Sequence, residues 1–403
     1  MAKVVLGVAG GIAAYKAVEL LRQLTETGHD VTVVPTASAL EFVGAPTWAA
    51  LSGKPVSAST WDQVHEVPHV RIGQEADLVV VAPATANLLA KAAHGLADDL
   101  LTNTLLTARC PVVMAPAMHT EMWEHAATQA NVATLRSRGV LVVEPAVGRL
   151  TGADSGKGRL PEPAELAHLV RQVLARGSAE LDLTGRRVVV SSGGTREHLD
   201  PVRYLGNRSS GRQGHALARA AVARGAEVVL VSSSGLPDPA GVKVVRVTSA
   251  LELHDAVLAE SADADAVVMA AAVADYRPAE RLAAKRKKTE TMTVELIQNP
   301  DVLHDLVAAR RPGQVLVGFA AETGDEARSP IDYGREKLAR KGCDLLVVNE
   351  VGEAGHPTGF EGTHNAATVL GADGSVTDVP LVSKDALADI VWDLVEQRLA
   401  ARP

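Results

Sequence analysis

The chain has 403 residues, too many for one ordinary domain, and it is 47% apolar but only 3% aromatic, so two or more cores built from Val, Leu and Ala are expected. A net charge of -8 argues against nonspecific nucleic-acid binding over the whole surface, though not against a local basic site. With only Cys110 and Cys343, a disulfide scaffold and a thiolate zinc site are excluded. The N-terminal stretch lacks the long apolar run of a signal peptide or membrane span, so a cytoplasmic location is expected.

Val4 to Ala9 reads as a short buried strand. "GGIAAYK" then turns into a helix in which Ala14, Ala17, Val18, Leu21 and Leu24 recur at helical spacing. "DVTVVPT", "ADLVVVAPAT", "CPVVMAPAM" and "GVLVVEP" are further strands, and strand alternating with helix predicts a doubly wound α/β sheet. In such sheets ligands sit beyond the carboxyl ends of the strands. The polar exits at Gly10 and Gly11, Thr36 to Ala39, Ala84 to Asn87 and Ala117 to His119 fit that rule. A helix end and a Gly-Ser break place a domain boundary near 175 to 185. The expected division is therefore 1–178, a linker at 179–185, and 186–403.

The pattern then restarts. "RRVVVSS", "AEVVLVSS", "ADAVVMAAAVADY", "QVLVGFAAET" and "CDLLVVNE" read as buried strands with polar exits, and "GHALARAAVARG" and "DALADIVWDLVEQRLA" as helices. Between the first strand and its helix runs the polar stretch "GGTREHLDPVRYLGNRSSGRQG". Gly193 and Gly194 permit close backbone approach there. Gly211 stands at a helix start whose N–H groups suit an anion, and Asn207, Ser209 and Ser210 add donors. The stretch is neither a Walker A loop nor a clean GxGxxG, and a long surface loop is the competing reading. "GVAGGIAAYKAVELL" likewise supplies only loose glycines, without the acid about twenty residues on that a nicotinamide-dependent oxidoreductase needs.

Specific motifs carry a family resemblance. "GGIAAYK", "HVRIGQEADLVVVAPATANLLAKAAHGLADDLL", "MAPAMHTEMW" and "DSGKGRL" resemble flavin-dependent 4'-phosphopantothenoylcysteine decarboxylases. "SSGGTREHLDPVRYLGNRSSGRQG", "AAVADYRP", "QNPDVL", "GFAAET" and the Lys337/Lys341 pair resemble phosphopantothenate–cysteine ligases. In this order the two halves resemble the bacterial fusion family of coenzyme A synthesis. The resemblance implies an N-terminal flavodoxin-like (HFCD flavoprotein) doubly wound sheet and a C-terminal Rossmann-like α/β ligase domain. It also implies an assembly of decarboxylase trimers and ligase dimers, a homo-dodecamer, with no nucleic-acid or membrane partner.

For the first half it implies FMN, held by Gly11, Ile12, Ser38, Thr85, Ala86 and Asn87. It implies oxidation of the cysteine thiol to a thioaldehyde that accepts the electrons left by departing CO2, followed by re-reduction. His69 matches the family's catalytic histidine, whereas the residues alone rank His65 equally. His119 stands where the family commonly has the Asn that holds the substrate carboxylate, and an imidazole can also donate to a carboxylate. Asp154, Gly156, Gly158 and Arg159 match the flap, but Gly152 replaces the cysteine associated with the last reduction. That replacement leaves open an active ligase fused to an impaired flavoprotein unit. Met118, Met122 and Trp123 are expected either to cover the flavin or substrate or to serve as packing.

For the second half the resemblance implies 4'-phosphopantothenate, cysteine and CTP as substrates, an acyl cytidylate intermediate, and Mg2+ or Mn2+ with ligands unidentified. Asp275 matches the acid that reads the nucleotide and Phe319 the aromatic beside the base. Lys285, in the charged run "AAKRKKTE", matches the nucleotide-contacting lysine of a loop that closes over the triphosphate. Ala271, Pro300, Asp301, Val302, Leu303, Lys337 and Lys341 complete the nucleotide set. Asn207 is expected to donate to the acyl-phosphate intermediate.

Overall fold

Val4, Val5, Leu6 and Val8 are all buried, as a parallel strand covered on both faces requires. They lie in β1 (Lys3–Val8), which pairs in parallel with β2 (Asp30–Pro35) and β3 (Leu78–Ala84). Beyond β3 lie β4 (Val112–Pro116) and β5 (Leu141–Val142). The computed structural model describes residues 1–56, 68–150, 154–285, 287, 292–322, 328–350 and 362–401, in two units, 1–181 and 182–403. The order of the first sheet, β2-β1-β3-β4-β5, is that of the flavodoxin-like fold. Helix Ala14–Glu26 buries Ala14, Ala17, Leu20, Leu21 and Leu24 against it and ends before Gly28, whose φ of 85° is left-handed.

The expected strand over 139–145 is realised only as the two-residue β5. The chain turns instead into an antiparallel hairpin, β6 (Ala146–Arg149) and β7 (Ser155–Arg159), which the sequence reading did not foresee. The glycines of "DSGKGR" explain it. A Cβ at Gly158 would lie 2.1 Å from the Met118 carbonyl oxygen, and one at Gly156 2.2 Å from Thr120 Oγ1, so the hairpin seats itself on the exit of β4 only because both are glycines.

In the second unit β8 (Arg187–Ser192) is followed by two short antiparallel strands, β9 (Arg196–His198) and β10 (Tyr204–Gly206), inside the polar stretch. β11 (Glu227–Ser232), β12 (Val242–Arg246) and β13 (Ala266–Met269) return to the main sheet. β14 (Tyr276–Pro278) and β15 (Leu296–Gln298) form another small antiparallel pair. β16 (Val315–Glu322), β17 (Leu345–Glu350), β18 (His364–Gly371) and β19 (Val376–Ser383) complete an eight-stranded sheet of order β12-β11-β8-β13-β16-β17-β18-β19. Its first six strands are parallel in Rossmann order, with the switch point between β8 and β13. β18 and β19 run antiparallel at the edge and are a second feature absent from the sequence reading.

Helix Lys384–Ala400 packs on helix Arg212–Ala223, where the buried Trp392 donates its indole N–H to the Leu217 carbonyl at 2.9 Å. Arg224, 1% exposed, donates to Asp182 at 2.8 Å and to Asp393 at 2.7 Å, so it ties the start of this unit to its last helix. Arg224→Met should lower the stability of this unit by about 2–3 kcal/mol, less than a fully enclosed pair would lose because Asp393 is half exposed. The change should be visible as an earlier urea transition in intrinsic fluorescence; an unshifted midpoint would contradict it. Among the described residues no helix is long and apolar enough to cross a membrane.

Candidate active sites

In the first unit the exits of β1, β2 and β3 enclose a cavity of about 590 Å³. Gly10, Thr36, Ser38, Thr85, Ala86, Asn87, Lys91 and Met122 are among its lining residues. Thr36 and Thr85 sit at helix starts, and their hydroxyls accept from the Ala39 and Leu88 N–H groups at 3.2 and 3.4 Å. A Cβ at Gly10 would stand 2.3 Å from Ser38 Cβ, so glycine alone allows these two loops to close the cavity floor. Of the expected flavin residues, Ser38, Thr85, Ala86 and Asn87 line the cavity. Gly11 and Ile12 do not, and Ile12 is 68% exposed in the turn before the first helix. Thr36, marked in the sequence only as part of a polar strand exit, and Lys91, not marked there, line the cavity as well. Lys91 is ion-paired to Asp98 at 2.7 Å, and the pair lines the same cavity.

The open question about Met122 and Trp123 divides. Met122 is exposed and lines the cavity, whereas Trp123 is 3% exposed in the core, where Met118 also packs. A planar, phosphate-bearing flavin fits such a cleft, with hydroxyls and helix-start N–H groups on one side and an apolar side chain on the other.

His69 falls in the first turn of helix Pro68–Glu75, while its side chain, His65 and Gly152 lie outside the described residues. His119 precedes the short helix Thr120–Glu124 without capping it, and its Nδ1 stands 3.1 Å from Asp154 Oδ2 on the approach to β7. A carboxylate only accepts, so Nδ1 carries the proton and a neutral His119 presents Nε2 as an acceptor. The expected donation from His119 to a substrate carboxylate therefore requires the imidazolium. Arg159, the last of the expected flap residues, ends β7 and bonds Glu162.

In the second unit, a cavity of about 430 Å³ opens at the switch point. Asn207, Ala271, Asp275, Pro300, Asp301, Val302, Leu303, Phe319, Lys337 and Lys341 all line it. Lys285 is exposed and is not among the lining residues. Gly211, at φ 83°, starts helix Arg212–Ala223 with no side-chain cap, which leaves the first N–H groups facing the cavity. Behind that turn the buried His215 places Nδ1 3.1 Å from the Gly211 carbonyl and 3.0 Å from Ser192 Oγ, and burial pushes its pKa below the usual imidazole value.

The wall at 271–274 is fixed by hydrogen bonds. The Ala271 N–H donates to Ser191 Oγ at 3.0 Å, the Ala274 N–H to Thr195 Oγ1 at 2.9 Å, and Asn299 Nδ2 to the Ala274 carbonyl at 2.8 Å. Asn207 Nδ2 donates to the carbonyls of Ala272 at 3.3 Å and Val273 at 3.1 Å. In this arrangement the amide nitrogen is engaged with main chain, and Oδ1 is the atom open to a ligand. Lys337 pairs with Glu322 at 3.1 Å and Lys341 with Asp301. Burial disfavours the Asp301 carboxylate, but Lys341 and the His304 N–H hold its pKa below the usual carboxylate range. Asn349, Asn365 and Lys384 also line the cavity, and the sequence reading selected none of them.

Residues 1–175 match the family model described as Flavoprotein, and residues 183–399 that of the DNA/pantothenate metabolism flavoprotein C-terminal domain. The chain is similar to the coenzyme A biosynthesis bifunctional protein CoaBC of Mycolicibacterium smegmatis, 57% identical over 98% of this chain and 97% of that one. It is 56% identical to the protein of the same description from Mycobacterium tuberculosis, over 99% and 97% of the two chains. The Vibrio cholerae counterpart is 44% identical, over 98% of each.

Proposed function

The chain belongs to the family of bifunctional coenzyme A biosynthesis proteins, and on that premise we propose that each of its two steps is carried out at one of the two cavities. The protein joins 4'-phosphopantothenate to cysteine and then decarboxylates the product with FMN to give 4'-phosphopantetheine. Residues 1–178 form the decarboxylase, 179–185 the linker and 186–403 the ligase. The reading rests on one observation: ten residues selected for nucleotide and acyl chemistry, drawn from five separate stretches of sequence, line a single cavity.

In the ligase, a carboxylate is a poor acylating group, so it is first activated. Its oxygen attacks the α-phosphorus of CTP and pyrophosphate leaves; the cysteine amine then attacks the acyl carbon and CMP leaves. Lys337, Lys341 and the N–H groups at Gly211 to Gln213 neutralise phosphoryl oxygens, and a divalent Mg2+ or Mn2+ would supply further positive charge there. Phe319 packs against the base and Asp275 accepts from it. Asn207 braces the Ala272–Val273 turn and offers Oδ1 to an N–H donor, either the pantothenoyl amide or the incoming amine.

In the decarboxylase, FMN supplies the two-electron oxidation and its reversal. Gly10, Ser38 and Thr85 to Asn87 hold it, His69 moves the proton, and His119, steadied by Asp154, holds the substrate carboxylate. The family resemblance supports self-association into decarboxylase trimers and ligase dimers, and so a dodecamer.

Lys285→Gln provides the test. Loss of a charge-assisted phosphate contact should lower ligase kcat/KM by about 30- to 1000-fold, or about 2–4 kcal/mol, and leave decarboxylation of supplied 4'-phosphopantothenoylcysteine intact. Because Lys285 is outside the cavity lining here, the result decides whether it reaches the nucleotide in turnover. Unchanged ligase kinetics would remove it from the site.

A further inference from the structure

The cavity of the first unit is lined by charge at Lys91, Asp98 and Asp99. Helix Ala86–His94 ends at Gly95, whose left-handed φ of 69° turns the chain back so that Asp98 meets Lys91. Lys91 Nζ stands 2.8 and 2.7 Å from the two carboxylate oxygens. Among the described residues that line this cavity, Lys91 is the only cation. The two acids do not cancel it. Asp99 Oδ1 is occupied at the start of helix Leu100–Thr107, where it accepts from the Thr102 N–H and hydroxyl, each at 2.7 Å, and the helix start meets its charge. The Asp98 side chain is 62% exposed, against 22% for Lys91. Water therefore screens the carboxylate more than the ammonium, and the ammonium is the charge that the enclosed part of the cavity feels most.

We infer that the Lys91 ammonium raises the reduction potential of FMN bound in this cavity, with Asp98 holding it in place and moderating its charge. The decarboxylation needs a cofactor that takes two electrons from the substrate thiol and later gives two back. Two electrons taken up with one proton leave one unit of negative charge on the ring. A cation in the same cavity favours that state over the uncharged oxidised ring. The phosphate of FMN carries the same charge in both states, so it cancels from the potential. It also has donors of its own, in the hydroxyls and helix-start N–H groups at Ser38 and Thr85 to Asn87. Lys91 thus acts on the charge that changes. Lys91 also holds the Asp98 carboxyl below the usual carboxylate range, so Asp98 stays ionised at neutral pH and keeps the lysine side chain on this wall.

The inference rests on the assignment of this cavity to FMN, and the test separates the two. Full-length wild type, Lys91→Met, Lys91→Arg and Asp98→Asn are prepared with FMN, and two quantities are read. One is the two-electron midpoint potential, by dye equilibration. The other is the dissociation constant of sulfite, which adds to the oxidised ring and leaves it negatively charged. Methionine keeps the stem of the lysine and removes the charge. The expected result for K91M is a rise of about tenfold or more in the sulfite constant, with the potential lower by the corresponding 30 mV or so, about 30 mV per tenfold for two electrons. K91R should stay within about threefold of the wild type, and D98N should bind sulfite at least as tightly as the wild type. If K91M does not retain FMN, Lys91→Gln takes its place. A neutral variant that keeps FMN with both quantities unchanged would overturn the inference. Equal weakening of sulfite binding in K91M and in K91R or D98N would make the pair structural and overturn it as well. Loss of FMN from both neutral variants would make Lys91 a binding contact instead of a tuning charge, with the same consequence. A wild type that binds no FMN would overturn the assignment of the cavity, and the inference with it.

Discussion

His69→Asn should retain FMN and ligation but lose CO2 release by about 10²- to 10⁴-fold, the usual contribution of a positioned general acid or base. Among the described residues, those lining the first cavity come from the exits of β1, β2 and β3, from Lys91, Asp98 and Asp99 further along, and from Met122, so the flavin contacts are expected to survive. Asparagine preserves size and hydrogen bonding but cannot exchange a proton near neutral pH. The measurement is CO2 release from supplied 4'-phosphopantothenoylcysteine, with flavin absorbance of the purified variant as the check on the cofactor. Normal 4'-phosphopantetheine formation by H69N would remove the catalytic reading of His69.

Asn207→Asp should cut amide formation by about 10²- to 10³-fold while weakening CTP binding much less. The wild-type amide spends both hydrogens on the Ala272 and Val273 carbonyls. A carboxylate has none to give, so it would face two carbonyl oxygens and repel the phosphoryl group of the intermediate. The Ala271 and Ala274 N–H bonds to Ser191 and Thr195 would still hold the rest of the wall. Quenched-flow mass analysis with labelled CTP distinguishes nucleotide binding from amide release. Amide produced at the wild-type rate would show that Asn207 is not beside the reacting groups.

What the sequence discloses depends on how distinctive each element's burial pattern is. β3 and β8 are legible because their Val runs are buried on both faces, which only a covered parallel strand tolerates. β18 and β19 escape because they lie at the sheet edge, where β19 buries only Val379 and neither carries the continuous apolar run of a covered strand. Their one clear signal is the Asp373-Gly374 turn, with Gly374 at φ 84°. Lys384 escapes with them. Following Ser383, whose hydroxyl accepts from the Ala386 N–H, it looks like a surface residue in the first turn of a helix, and its burial follows from the edge strands. Gly11 and Ile12 stand outside the cavity lining, since a motif match does not say which residue of a turn faces the cavity. The direction of the Asn207 amide is a tertiary fact: its partners lie 65 and 66 residues away.

The most direct test is coupled turnover by the full-length chain of 4'-phosphopantothenate, cysteine and CTP, followed by mass analysis of every species. The expected result is CMP and pyrophosphate with the cysteine amide appearing transiently, then its conversion to CO2 and 4'-phosphopantetheine, completed without a thiol at position 152. Accumulation of the amide without CO2, in a protein that carries FMN, would contradict the account.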